Sequence, residues 1–83
     1  MEKVDIKRHL HKLNDGIDDS IISMYADLFI DYQHAQANIA ENGTVVFHPK
    51  TGAPVMNPLL AVRDSAMGRL LKMDLDTGDL WSR

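Results

Sequence analysis

Residues 18–43 read DDSIISMYADLFIDYQHAQANIAENG, and their apolar spacing is that of one long helix. Ile21, Tyr25, Leu28, Tyr32, Ala35 and Ile39 follow one another by four, three, four, three and four residues, a heptad seam. Ile22, Met24, Ala26 and Phe29 widen that seam, so the helix has more than one apolar flank to cover. Asp18 suits the N-cap because its carboxylate accepts hydrogen bonds from amides that have no helical partner, and Asp19 sits favourably at the positive end of the helix dipole. Glu41-Asn42-Gly43 closes the pattern, with Gly43 expected as a left-handed cap. A helix of about 24 residues is roughly 36 Å long. An 83-residue globule cannot wrap that length by itself, so part of the helix is expected to face another chain.

Upstream, Ile6, Leu10 and Leu13 share one face of a shorter helix, and Lys3, Lys7 and His11 form a second stripe. Asn14-Asp15-Gly16 stops that helix, and Ile17 is placed to staple the start of the next. Downstream, Thr44-Val45-Val46-Phe47 and Ala53-Pro54-Val55-Met56 flank the turn chemistry of His48-Pro49-Lys50-Thr51-Gly52 and read as a β-hairpin. Pro54 lacks a ladder donor and belongs at an edge. So short a ribbon is marginal alone and must pack on something, a neighbouring subunit being one support.

Asn57-Pro58 restarts a helix, with Asn57 as cap and Pro58 in the first position. Leu59, Val62, Ala66, Leu70 and Met73 define its buried face, with Arg63, Arg69 and Lys72 outside. Gly68 weakens it by about 1 kcal/mol relative to alanine and is expected to permit close helix contact. The expected fold is mainly α: a long antiparallel helical hairpin with a short β-hairpin between its helices and a short N-terminal helix. Residues 1–16 form a basic helical segment, 17–74 an oligomerisation core, and 75–83 an acidic, partly mobile tail.

Composition narrows the chemistry. The chain is 45% hydrophobic and 25% charged with no cysteine, which excludes a disulfide framework, thiolate metal sites and cysteine nucleophiles. No apolar run approaches the roughly 20 residues needed to span a bilayer, and a cytoplasmic protein with no membrane partner is expected. Residues 1–13 hold four basic against two acidic side chains, whereas residues 14–83 hold five against ten. The overall charge of −3 argues against a domain that coats nucleic acid over its whole surface. Any contact with phosphates would have to be local, on Lys3, Lys7, Arg8 and Lys12, and the other reading of these four cations is a solvated helix face that serves solubility.

Catalytic and metal readings find little support. His9 and His11 point to different faces of a helix. Asp27, Asp31 and His34 share a side of the long helix, but no other element supplies further ligands, so a solvated polar face is expected there. Asp74, Asp76 and Asp79 lack the sixth-position glycine and the distant glutamate of a calcium loop. No phosphate-cradling, dinucleotide or nucleophile-elbow motif occurs. The expectation is a protein with no catalytic residue, no metal and no cofactor.

The order of features from Ile17 onward resembles the bacteriophage terminase small-subunit family. Ile17-Asp18-Asp19 is similar to that family's helix-opening Leu-Thr-Glu. Tyr25, Phe29, Tyr32 and Ala35 follow its Tyr, Tyr, Trp and Ala run. Glu41-Asn42-Gly43-Thr44-Val45-Val46 is like its step from Glu-Gly into a hairpin, Thr51-Gly52-Ala53-Pro54-Val55 its Asn-Gly turn, and Asn57-Pro58-Leu59 its His-Pro-Ala helix start. Asp74 to Leu80 departs from the family's closing Gly-Leu-Thr-Pro-Ser element.

The resemblance implies a non-catalytic subunit of the viral genome-packaging motor in the host bacterial cytoplasm. Its implied partners are further copies of itself in a ring, viral double-stranded DNA and the large ATPase/nuclease subunit. On this reading Ile21, Tyr25, Leu28, Phe29, Tyr32, Leu59, Val62 and Leu70 serve the helical hairpin and its subunit contacts, and Lys3, Lys7, Arg8 and Lys12 face DNA. The alternative is a small helical oligomerising adaptor or regulator without DNA binding. A small DNA-binding regulator would need a recognition helix, and only the first helix has the charge for one.

Overall fold

The computed structural model describes residues 1–82. In chain order it contains α1 (Lys3–Leu13), α2 (Asp19–Asn42), β1 (Val45–Phe47), β2 (Pro54–Met56), α3 (Leu59–Lys72) and one 3-10 turn, Leu80–Ser82. The expected fold class is the observed one: three helices, with a two-stranded antiparallel hairpin between the second and third.

The ends of α2 fall where local chemistry puts them. Asp18 accepts hydrogen bonds from the Ser20 backbone N–H at 2.8 Å and the Ser20 hydroxyl at 2.9 Å. At the other end the Gly43 N–H donates to the Ile39 carbonyl, and Gly43 has φ +85° and ψ 178°. That combination is open essentially to glycine alone. It differs from the left-handed cap expected, because ψ must already be extended for the chain to enter β1 two residues later.

Asn57 does more than cap. Its Oδ1 accepts from the Leu59 N–H at 3.0 Å, while its Nδ2 donates to Asn38 Oδ1 at 3.1 Å and to the Gly43 carbonyl at 3.0 Å. Pro58 is already helical in φ and ψ. One buried side chain thus ties the end of α2, the base of the ribbon and the start of α3 together. From that junction α3 runs back along α2, and Leu70 joins Tyr25 and Phe29 in the core.

The core sits at one end. Ile6 and Leu10 from α1, Ile22, Tyr25, Ala26 and Phe29 from α2, Leu70 and Leu80 form a single apolar cluster. Toward the ribbon, burial is carried mainly by Ala35, Ala66 and the single larger side chain of Ile39. The molecule measures 52 × 21 × 17 Å with a radius of gyration of 15.4 Å, against about 12 Å for a compact chain of this length. Its accessible surface is 5706 Å², roughly 700 Å² more than the mass scaling gives.

Several expectations about burial need correction. The seam of α2 is rotated toward α1, so Ile22, Ala26 and Phe29 are buried while Ile21 remains 42% exposed and Met24 is exposed too. Heptad spacing within α2 carries no sign that α1 packs on the second flank. Leu13 and Val62 are also exposed rather than buried, and Arg63 is half-buried rather than outside. Gly68 makes no close contact, since an added Cβ would meet nothing within 4 Å.

Residues 75–82, expected as an acidic, partly mobile tail, contribute Leu80 to the core at 1% exposure. Trp81 stands edge-on to Phe29 and Tyr32, with ring centroids 4.7 and 5.3 Å away, and its Nε1–H donates to the Tyr25 hydroxyl at 3.2 Å.

Two substitutions test this packing by urea denaturation. Leu80→Ala removes a fully enclosed side chain and is expected to cost about 2–4 kcal/mol. Gly68→Ala, on an exposed helix surface with open space for the methyl, is expected to stabilise by roughly 0.5–1 kcal/mol.

Candidate nucleic-acid interface

The basic stripe of α1 exists as a surface, but its charges are engaged. Ile6 and Leu10 turn one face of α1 into the core, which leaves Lys3, Lys7 and His11 along its boundary with α2. There Lys3 Nζ lies 2.9 Å from Asp27 Oδ1, and Lys7 Nζ lies 3.2 Å from Asp19. His11 Nε2 is 2.8 Å from the same Asp19 carboxylate. Arg8 pairs with Asp5 one turn earlier at 3.6 Å. Of the four cations expected to face DNA, only Lys12 makes no ion pair among the described residues. Lys3, Lys7, Arg8 and His11 together line a shallow depression of about 590 Å³ with Val4 and Asp19.

Such pairs are weak holders. Exposed ion pairs contribute about 0–1 kcal/mol each, so a phosphate oxygen can take the place of a carboxylate at little cost. Their effect on the field is larger: three aspartates among four cations leave little net attraction for a polyanion per chain. The cations also pull on their partner. Asp19 is held below the ordinary carboxylate range by its hydrogen bonds from His11 and Lys7. Asp18 is lowered by the Ser20 backbone N–H and then by the Ser20 hydroxyl.

A second set of bonds fastens the C-terminal segment across α1. The Asn14 side chain donates to the Asp76 carbonyl and accepts from the Asp76 N–H, both at 2.8 Å, while also donating to the Leu10 carbonyl. His9 Nε2 lies 2.9 Å from the Thr77 carbonyl and 3.5 Å from Asp79. Gly78 has φ +54°, and a Cβ there would come within 2.8 Å of Leu13. Sequence reasoning gives Asn14 a helix-stopping role and misses this clasp. Leu80-Trp81, two large apolar residues beyond an acidic turn, mark the segment in the sequence but do not say which surface they seat on.

The residues expected to serve the helical hairpin and its subunit contacts divide in two. Tyr25, Phe29 and Leu70 are buried in the chain's own core, and Leu28, Tyr32 and Leu59 are half-covered. Ile21 and Val62 remain exposed. Leu28 and Val62, with Asp31, Ala66 and Arg69 among others, line an open groove of about 320 Å³ between α2 and α3. Among the described residues no group of three or more His, Asp or Glu side chains is placed to hold a metal ion, and no helix is long and apolar enough to cross a membrane.

A family model described as phage terminase, small subunit, matches residues 5–78. No curated protein and no solved structure matches the chain.

The Asp19 pairs give a pH dependence of definite sign. A carboxylate held lower in the folded state contributes stability above its ordinary value of 3.8, and that contribution is lost as pH falls through the lowered value. Denaturation curves across acid pH should show wild type more stable than Asp19→Asn near neutrality, with the two converging in strong acid. A constant gap between them at every pH would remove these pairs as the cause.

Proposed function

The chain belongs to the phage terminase small-subunit family, and from that membership we propose that it is the oligomeric DNA-recognition component that delivers viral DNA to the large packaging ATPase/nuclease. Small subunits of this family are generally the non-catalytic component. The chain's place of action on this reading is the host bacterial cytoplasm, and its partners are its own copies, viral double-stranded DNA and the large subunit. The division into a basic segment at 1–16, an oligomerisation core at 17–74 and an acidic C-terminal tail at 75–83 belongs to the same proposal.

The observation that carries the reading is the family match over residues 5–78 of 83. The surplus of exposed surface supports assembly, because an elongated hairpin with uncovered apolar side chains gains most by packing beside copies of itself. Tyr25, Phe29 and Leu70 hold the hairpin from within, while Ile21, Leu28 and Val62 carry the contact between subunits. Lys3, Lys7, Arg8 and Lys12 face DNA. Each exchanges a neighbouring carboxylate for phosphate, and the weak attraction per chain is multiplied by the number of chains around the assembly.

One observation favours the alternative of an adaptor without DNA: three of those four cations already have acidic partners. Titration of double-stranded DNA against rising salt separates the two. The terminase reading expects affinity to fall steeply with salt. It also expects Lys7→Ala with Arg8→Ala to flatten the slope by about one unit for each phosphate that is no longer neutralised. Absence of binding at low salt would favour the adaptor.

A further inference from the structure

Residues 76–79 cross the end of α1 as a short acidic loop between two apolar anchors. Leu75 packs against the core and Leu80 is buried in it, while Asp76, Gly78 and Asp79 between them are exposed. The loop carries two carboxylates and no cation. Its carbonyl oxygens meet two side chains of the α1 end: Asp76 O lies 2.8 Å from Asn14 Nδ2, and Thr77 O lies 2.9 Å from His9 Nε2. A carbonyl only accepts, so the amide and the imidazole both act there as donors.

Those donors border the outward ridge of α1. Lys3, Lys7 and His11 follow the boundary with α2, where Asp27 and Asp19 meet them. His9 and Leu13 follow the opposite boundary, under the loop. Between the two boundaries stand Arg8 and Lys12, one turn apart and exposed. They share a hollow of about 180 Å³ with His9 and Asp5. Asp79 Oδ1 lies 3.5 Å from His9 Nε2, which sets a loop carboxylate beside that hollow. The carboxylates on the α2 side are built into a long helix, whereas those of the loop ride on four residues that can swing between their anchors.

We infer that residues 76–79 are a brake on phosphate binding by α1. Closed, the loop engages two donors with its own carbonyl oxygens and screens the Arg8–Lys12 ridge with its carboxylates. Swung aside, it leaves His9 and Asn14 to bind phosphate oxygens together with that ridge. The inference rests on the reading of α1 as the DNA-facing element and names how that contact is regulated. A DNA backbone binds the open form better by two donors and by the repulsion removed, and that difference is what displaces the loop. The closed chain therefore binds with an affinity lowered by the fraction that is open. Displacement is local, because one amide and one imidazole do the fastening where a strand ladder is absent.

Two substitutions that change no charge test the brake on the full chain with a short DNA duplex at low salt. Asn14→Ala removes both bonds to Asp76, and Gly78→Ala sets a methyl 2.8 Å from Leu13 at φ +54°. Each is expected to bind the duplex about tenfold more tightly than wild type, and the general field of the protein cannot supply that gain. Ile39→Ala, which loosens the far end of the hairpin, is expected to leave affinity unchanged. In wild type the Asp76 amide, which donates to Asn14 Oδ1, is expected to lose hydrogen-exchange protection on saturation with duplex while amides of α2 keep theirs. Equal or weaker binding by both variants, with helix content retained by circular dichroism, would overturn the brake and leave the DNA contact standing. Should either variant lose helix content, the wild-type exchange measurement decides alone, and unchanged Asp76 protection counts against the brake. No binding by any of these proteins would remove the DNA-recognition reading itself, and the brake with it.

Discussion

Coverage of α2 is the constraint on which the other features depend. A helix of 24 residues with apolar side chains on more than one flank loses its stabilisation wherever those flanks stay wet. The chain has material for three layers at one end only. There α1 lies on one side, α3 on another, and the C-terminal segment returns with Leu80 and Trp81 to fill the space between. At the other end the hairpin thins to Ala35, Ile39 and Ala66, and its tip is a ribbon whose outer face has no partner within the described residues.

Polar groups do the fastening where apolar burial is thin. Asn57 satisfies the start of α3 and the Gly43 carbonyl at once, so that the ribbon leaves and re-enters the helical pair at a fixed point. Asn14 does the equivalent for the C-terminal segment, pairing with both backbone groups of Asp76 as a neighbouring strand would. Both are buried or half-buried amides with donors and acceptors in use. Their cost of desolvation is offset by bonds that hold two elements in register. The ion pairs along α1 are of another kind, solvent-facing and exchangeable.

What is legible in the sequence follows from which forces act locally. The bounds of α2 are readable from Asp18 and Gly43, the ribbon from its turn residues, and the start of α3 from Asn57-Pro58, because caps and turns are set by neighbours in the chain. The rotation of the buried seam from Ile21 to Ile22 is not readable, because it depends on where α1 lands. Nor is the seating of Leu80 and Trp81, since turn-rich acidic spacing looks the same whether or not it leads back to a core. The pairing of Lys3 with Asp27 and Lys7 with Asp19 joins residues far apart in sequence, so the basic stripe is more cationic on paper than in space. Gly68, expected as a packing device, faces open solvent.

Sedimentation equilibrium of the wild-type chain over a wide concentration range addresses the central claim most directly. The account predicts a discrete assembly of several copies that persists on dilution, with a mass that is a whole multiple of 9.3 kDa. A folded single chain of 9.3 kDa at the highest concentration would contradict it.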